Sequence, residues 1–400
     1  MQETNTSLKI ALLGTRGIPA RYGGFETFAQ ELSTRLVERG HQVTVYARKP
    51  FFKKKEPLKY KGVTVRYAST IFHKFLETPL AAITSFIDLF KRDIDLVLLC
   101  NAANSPFAWL ATLRGLPVAV NVDGIERRRT KWNWLGRSWY LLGEHCSKLF
   151  CTRVIADAEA IACYYRGTHK IEPTVIAYGA QAQTVLAGET LCELGVESKK
   201  YILYVSRLEP ENNALGVIQA YVKLTHEVQV DIPLVIVGDA PYADGYKAEL
   251  KAAASKAKRA EMIIFAGYQF GNAYHELQSN ALIYIQATEV GGTHPALIEA
   301  MAHGNCVIAN GTPENIEVLS DAGRFYTKND FIALSALLED LLDDTSLREE
   351  LSKKAKQRAS RVYNWEQITS QYEELFRELL GRAAKGKKDS ADLADFERVA

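Results

Sequence analysis

The chain has no apolar run near the roughly 20 residues that a bilayer-crossing helix needs, so a membrane-spanning class is not expected. Cysteine is sparse and unpaired in pattern. The six residues at 100, 146, 151, 163, 192 and 306 lie mostly in apolar segments without CxxC spacing, which argues against a zinc site and a disulfide framework. They read as reduced core residues of a cytosolic protein. A charge excess of one sign is also missing. Lys and Arg number 49 against 47 Asp and Glu, and a net charge of +2 does not suit a dedicated nucleic-acid binder. The start, MQETNTSLKI, has neither a basic nor an apolar region, so no signal peptide is expected. No His, Cys, Asp and Glu spacing fits a metal, and isolated His41, His145 and His303 read as structural. The protein is expected in the cytoplasm, soluble or peripheral at the inner face of the plasma membrane.

Hydrophobic residues make up 47% of 400, enough for two cores. Strand-like runs alternate with helical patterns, the signature of parallel βαβ units and an α/β class. One set runs from Ile10–Leu13 to Thr174–Ile176, and a second starts at Tyr201. The expected organisation is a first domain over 1–180, a linker over 181–200 and a second domain over 201–362. A helix over 363–380 follows, with Trp365, Ile368, Tyr372, Leu375 and Leu379 on one face, and then a charged mobile tail over 381–400.

The segment EVGGTHPALIEAMAHGNCVIAN, Glu289 to Asn310, carries the densest signal. Gly291 and Gly292 let backbone approach a ligand, Thr293 follows, Pro295 suits a first helical turn, and Glu299 lies about one turn further on. Such a helix start turns backbone N–H groups toward an anion. Glu299 is then placed for sugar hydroxyls, and as the one carboxylate on an otherwise apolar helix it requires a partner. A Gly-Gly turn alone is more often plain punctuation. The second half adds YILYVSRLEPENN, an apolar strand ending at Ser206-Arg207, where an Arg suits a diphosphate.

Three first-half features are less decided. Gly14, Gly17, Gly23 and Gly24 precede a helix with Phe25, Phe28, Leu32 and Leu36 on one face. The spacing is not GxGxxG and no acid ends the second strand at Arg48, so a dinucleotide site is disfavoured; simple loop flexibility remains an alternative. Asp123, in VDGIE with Glu126, either faces substrate or caps the turn at Gly124. The cations and aromatics of Arg127 to Tyr140, with Phe51 to Lys55, suit an anionic membrane or lipid diphosphate, or form a solvated face.

These segments resemble the retaining, metal-independent family 4 glycosyltransferases. The resemblance spans Lys9 to about Leu380 and rests on KIALLGTRGIPARYGGFETFAQEL, NVDGIE, the Arg207 strand, the Glu289 segment and TPENIEVL. It is nearest to bacterial rhamnosyl- and related transferases of cell-surface polysaccharides. It implies a GT-B fold, two facing Rossmann-like domains with a crossover helix. By the same resemblance, Arg207, Asn212, Gly291, Gly292, Thr293 and Glu299 bind the donor; Gly23, Gly24 and Phe25 form the acceptor-side loop; Asp123, Arg207 and Glu289 serve catalysis. Two positions depart from the family pattern: Gly291 stands where the first of two glutamates is usual, with Glu289 the nearest acid, and Asn212 stands where a Lys is usual. The implied reaction moves a hexose or deoxyhexose, rhamnose among the candidates, from a nucleotide diphosphate sugar to a surface or lipid-linked glycan, with retention and without a metal or cofactor. The rivals are a sugar-nucleotide 2-epimerase of the same fold and a non-catalytic nucleotide-sugar-binding subunit.

Overall fold

The computed structural model describes residues 6–21, 23–52, 58–73, 76–129, 132–240 and 243–399, with side chains described as far as residue 383. Lys53 to Lys55, part of one expected basic cluster, and Thr130 and Lys131 of the other lie outside the described residues. Two compact units result. One comprises Met1–Asp123, Asn133–Ala177 and Trp365–Ala400, the other Gly124–Trp132 and Tyr178–Asn364.

The first unit holds β1 Lys9–Leu13, β2 Gln42–Arg48, β3 Lys59–Tyr60, β4 Val63–Ala68, β5 Leu96–Cys100, β6 Val118–Asn121, β7 Arg153–Ala156 and β8 Thr174–Val175. They form one sheet in the order β3-β4-β2-β1-β5-β6-β7-β8, parallel except for the short antiparallel edge β3. β5 and β6 are buried along their whole length, because helices cover both faces of a parallel sheet. That is why they appear in sequence as unbroken apolar runs.

The second unit holds β9 Ile202–Val205, β10 Leu234–Val237, β11 Ile263–Gly267, β12 Ile283–Gln286, β13 Cys306–Asn310 and β14 Arg324–Tyr326, ordered β11-β10-β9-β12-β13-β14 and all parallel. β9 and β12 are neighbours, so the loops leaving their carboxyl ends lie side by side. The core under this sheet runs from Ile202 and Tyr204 through Val217, Tyr221 and Ile236 to Ile308 and Leu338. Two of its phenols bond backbone, Tyr204 donating to the Asn212 carbonyl at 2.6 Å and Tyr221 to that of Ile232 at 2.8 Å.

Two expected segments take a regular form. Residues 181–200, expected as a linker, belong to the second unit. The helix Glu189–Leu194 starts over the buried Glu276 carboxylate, which accepts from the backbone amides of Gly188 at 2.8 Å and Leu191 at 3.0 Å. The last helix, Trp365–Val399, continues through the segment expected as a tail. Its expected apolar face is buried in the first unit, and Tyr372 accepts a bond from the Asn121 amide at 3.0 Å. Arg39 holds the same helix through Glu366 at 2.8 Å and Glu373 at 3.2 Å.

Candidate donor site

The site begins where β9 ends. Gly238, after β10, has φ +128°, and a Cβ there would lie 1.8 Å from the Ser206 carbonyl oxygen, so only glycine lets the two strand ends meet. Arg207 follows with its side chain 31% exposed, 3.5 Å from Glu209. Asn212, expected to bind the donor, is turned inward instead. It is buried, and its amide donates to the Arg207 carbonyl at 2.7 Å, so it braces the arginine loop. A short neutral amide finds a strong acceptor in the neighbouring backbone.

The loop after β12 is pinned along its length by asparagine amides. Asn213 and Asn310 both donate to the Ala287 carbonyl, at 2.9 and 3.0 Å. Asn315, in the TPENIEVL phrase, donates to the Thr288 carbonyl at 3.3 Å, and Thr312 caps its helix by accepting from the Asn315 N–H. The Glu289 N–H donates to the Glu211 carbonyl at 3.1 Å, tying this loop to that of Arg207. The Glu289 carboxylate accepts from Asn329. Arg207, Asn212 and Glu289 are therefore brought together as expected from sequence, with Asn212 in a different part.

Gly291, Gly292 and Thr293 lead to the helix Pro295–His303, with Pro295 in its first turn and no side-chain cap from His294. Uncapped first-turn amides are the donors an anion would use. A Cβ on Gly291 would strike the His294 ring at 2.3 Å, and one on Gly124 would strike the Gly291 carbonyl carbon at 2.5 Å. Gly124 thus seats the segment Gly124–Trp132 on this turn. Leu297, Ile298, Ala300, Met301 and Ala302 are buried as the pattern required. Glu299 has the partner its position demanded: Tyr274 donates to Oε2 at 2.5 Å and itself receives Gln278 Nε2 at 3.0 Å. Burial, with Glu299 alongside, raises the Tyr274 pKa well above its ordinary value, so the phenol remains a donor.

Sequence reasoning missed two charged or titratable neighbours. Arg129 was read within a solvated or membrane-facing cluster but is buried, with Nε donating to Glu126 Oε1 at 2.6 Å and Nη1 3.6 Å from the buried Glu211. His294, within the motif itself, is pushed down from 6.5 to about 3 by burial first and by the Arg129 and Arg207 cations next. It is neutral at pH 7 and offers one donor and one acceptor. The spacing IERRR-x-KW carried no signal that only the third arginine would be enclosed.

The expected acceptor-side residues lie on the first unit. Gly24 begins the helix Gly24–Glu38, Gly23 is its extended N-cap, and Phe25 is half-buried. Gly14 and Gly17, at φ +97° and +113°, fix the loop's path, and Arg48 donates to the Gly14 carbonyl at 3.2 Å and to Glu77 at 2.6 Å. Asp123 adopts the left-handed region at φ 57°, its N–H bonded to Asn121 Oδ1 at 3.0 Å. No group of metal-ligating side chains occurs among the described residues.

Two family models match adjacent stretches that together cover most of the chain, Glycosyltransferase Family 4 over 22–181 and Glycosyl transferases group 1 over 193–358. The chain has the GT-B fold, with a glycosyltransferase family model matching each of its halves. Among relatives, it is 29% identical over 171 residues to O-antigen chain mannosyltransferase B of Escherichia coli and 27% identical over 199 residues to N-acetyl-alpha-D-glucosaminyl L-malate synthase of Bacillus anthracis. Those matches span 43% and 49% of this chain and 44% and 50% of the relatives, about half of each. The chain also shares its fold with sucrose-phosphate synthase from Thermosynechococcus elongatus (TM-score 0.77, 19% identity, 93% of this chain and 99% of that one). Anabaena Alr3699/HepE in complex with UDP is comparable (TM-score 0.74, 17% identity, 93% and 100%).

Proposed function

We propose that this glycosyltransferase moves a hexose or deoxyhexose, rhamnose among the candidates, from a nucleotide diphosphate sugar to a surface-polysaccharide or lipid-linked acceptor. The observation that carries the reading is the pairing of Arg207 with the Gly291–Thr293 turn that leads into the helix Pro295–His303, at neighbouring strand ends. A guanidinium fork and first-turn amides together suit a diphosphate, and both favour the charge that grows on it as the sugar leaves. Glu299, oriented by Tyr274, accepts from ribose hydroxyls. Retention follows from front-face attack, in which the leaving phosphate helps take the acceptor proton and no metal is needed. Glu289 faces the sugar, and Asp123, Gly23, Gly24 and Phe25 serve the acceptor. The UDP complex of the structural neighbour and the mannosyltransferase relative support this class of donor.

A panel of nucleotide diphosphate sugars tested for protection against thermal unfolding identifies the donor, since a ligand that binds only the native state raises the midpoint. The matching donor should then be consumed only with acceptor present and with EDTA in the buffer. Asp123→Asn should keep donor protection and lose transfer. Interconversion of free sugar nucleotides without acceptor would replace transfer by epimerisation, and binding without any turnover would leave a nucleotide-sugar-binding subunit.

A further inference from the structure

The first unit turns an apolar face outward that the donor chemistry does not use. The helix Trp134–Phe150 is amphipathic in an inverted sense: it buries Gly136, Gly143, Glu144, Cys146 and Ser147, and exposes Trp134 (73%), Leu142 and Leu149 (69%). The cause is close packing on its inner side. A Cβ on Gly143 would lie 2.5 Å from the Ala102 carbonyl, and Ser147 bonds Ser105 at 2.8 Å, so small residues face in and large ones have only solvent. The next helix, Trp109–Leu113, is tied alongside by the Thr112 hydroxyl donating to the Phe150 carbonyl at 3.3 Å, and exposes Trp109 and Leu113. Arg114 in turn donates to the Leu89 carbonyl, joining the end of the helix Glu77–Leu89, where Ile87 and Phe90 are exposed. Single exposed apolar residues need no explanation, but three adjoining helices of them do.

Charge decides the occupant. Arg137, Lys148 and Lys91 are exposed in these elements. The one acid of the helix Trp134–Phe150, Glu144, is buried against Tyr164 at 2.7 Å and His169 at 3.0 Å. The nearest acids of the third helix region are engaged elsewhere, Asp88 with Arg92 at 3.2 Å and Asp93 with Lys9. Large apolar side chains flanked by cations, with the nearby carboxylates buried or paired with a cation, complement an anionic lipid surface rather than an acidic protein groove or water. No helix among the described residues is long and apolar enough to cross a membrane.

We propose that this face, Trp134 to Leu149 with Trp109, Leu113 and Phe90, docks the enzyme on an anionic phospholipid bilayer. It rests on the transferase reading in that a lipid-linked acceptor gives the attachment its use. It keeps the Trp134 to Tyr140 part of the basic-aromatic cluster expected from sequence and sets the rest aside. Arg129 is enclosed by carboxylates, and Phe51 lies under the Arg16 guanidinium at 4.4 Å and against the Phe72 ring.

The test is co-sedimentation of the full chain with phosphatidylcholine vesicles, with and without phosphatidylglycerol, over a salt series. Binding should require phosphatidylglycerol and weaken as salt rises. Leu142→Glu with Leu149→Glu should reduce it on the order of ten-fold or more, since each places a carboxylate where an apolar side chain would insert. Nucleotide-sugar protection of the same variant should match wild type, which shows that it is folded. Wild type remaining in the supernatant at low salt, or the double variant binding as wild type, overturns the proposal. So does a concentration-dependent dimer abolished by the double variant without vesicle binding, which would make the face a contact between copies. Absence of protection by every nucleotide sugar would sink the donor reading and leave the vesicle result standing, so the two failures are distinct.

Discussion

Each unit contains a glycine-rich strand-to-helix loop and an arginine at a strand's carboxyl end, and the two pairs have opposite physical uses. In the first unit, Gly14 and Gly17 are required by positive φ and by crowding against Cys100 and Ala47, and Arg48 is buried on Glu77 and the Gly14 carbonyl. These residues build the loop. In the second unit, Gly124 and Gly291 do not adopt the left-handed region, and glycine is required because segments touch. Arg207 there is a third exposed with its nearest carboxylate at 3.5 Å. A glycine or an arginine in such a loop is evidence for a ligand only when the backbone does not already need it.

That contrast can be broken at the glycines. Gly238→Ala should have the largest effect, costing upward of about 2 kcal/mol of stability, because it combines a strained φ with a Cβ inside the Ser206 carbonyl. Gly23→Ala, whose Cβ would have only an ordinary 3.5 Å contact with Glu26, should cost less than about 1 kcal/mol. Denaturant unfolding of both separates a built loop from a permissive one.

The arginines come next. Arg48→Ala should lower stability by about 1–3 kcal/mol, since the buried Glu77 loses its shorter ion pair and keeps only Arg16 at 3.2 Å, while a folded sample keeps its donor affinity. Arg207→Ala should do the reverse, weakening nucleotide diphosphate binding by about 1.5–3 kcal/mol with little change in unfolding midpoint, and Arg207→Lys should restore only part. Calorimetric titration reads the difference; equal affinity for wild type and Arg207→Ala would remove that residue from the site.

Glu299→Gln should give a smaller change, a donor KM raised by several-fold, on the order of 1 kcal/mol, with kcat less affected. Unchanged kinetics would leave Glu299 as the acceptor for Tyr274 alone. The pH dependence of stability tests the same loop by a separate route. His294 has a folded pKa near 3 against an ordinary 6.5, so its contribution is complete above 6.5 and lost as pH falls toward 3, where the unfolded chain takes up a proton that the folded chain refuses. His294→Asn should flatten that part of the stability profile. An identical acid profile for both proteins would show that the histidine is solvated.

The sequence by itself determined the parallel α/β class and most strands, because strands buried on both faces must be apolar throughout, as Leu96–Cys100 and Cys306–Asn310 are. The short edges Lys59–Tyr60 and Arg324–Tyr326 escaped for the complementary reason, since few of their residues are enclosed. It also placed Arg207 and Glu299, whose meaning follows from position along one element. Tertiary structure alone decided that Asn212 braces the arginine loop, that Tyr274 holds Glu299, that Arg129 is enclosed by Glu126 and Glu211, and that Trp134 to Leu149 faces outward. The first depends on how a loop turns back on itself, and the others on a group tens of residues away or on the volume left beside a glycine. Local periodicity records which face of an element is apolar, and it does not record what that face or its polar neighbour will meet.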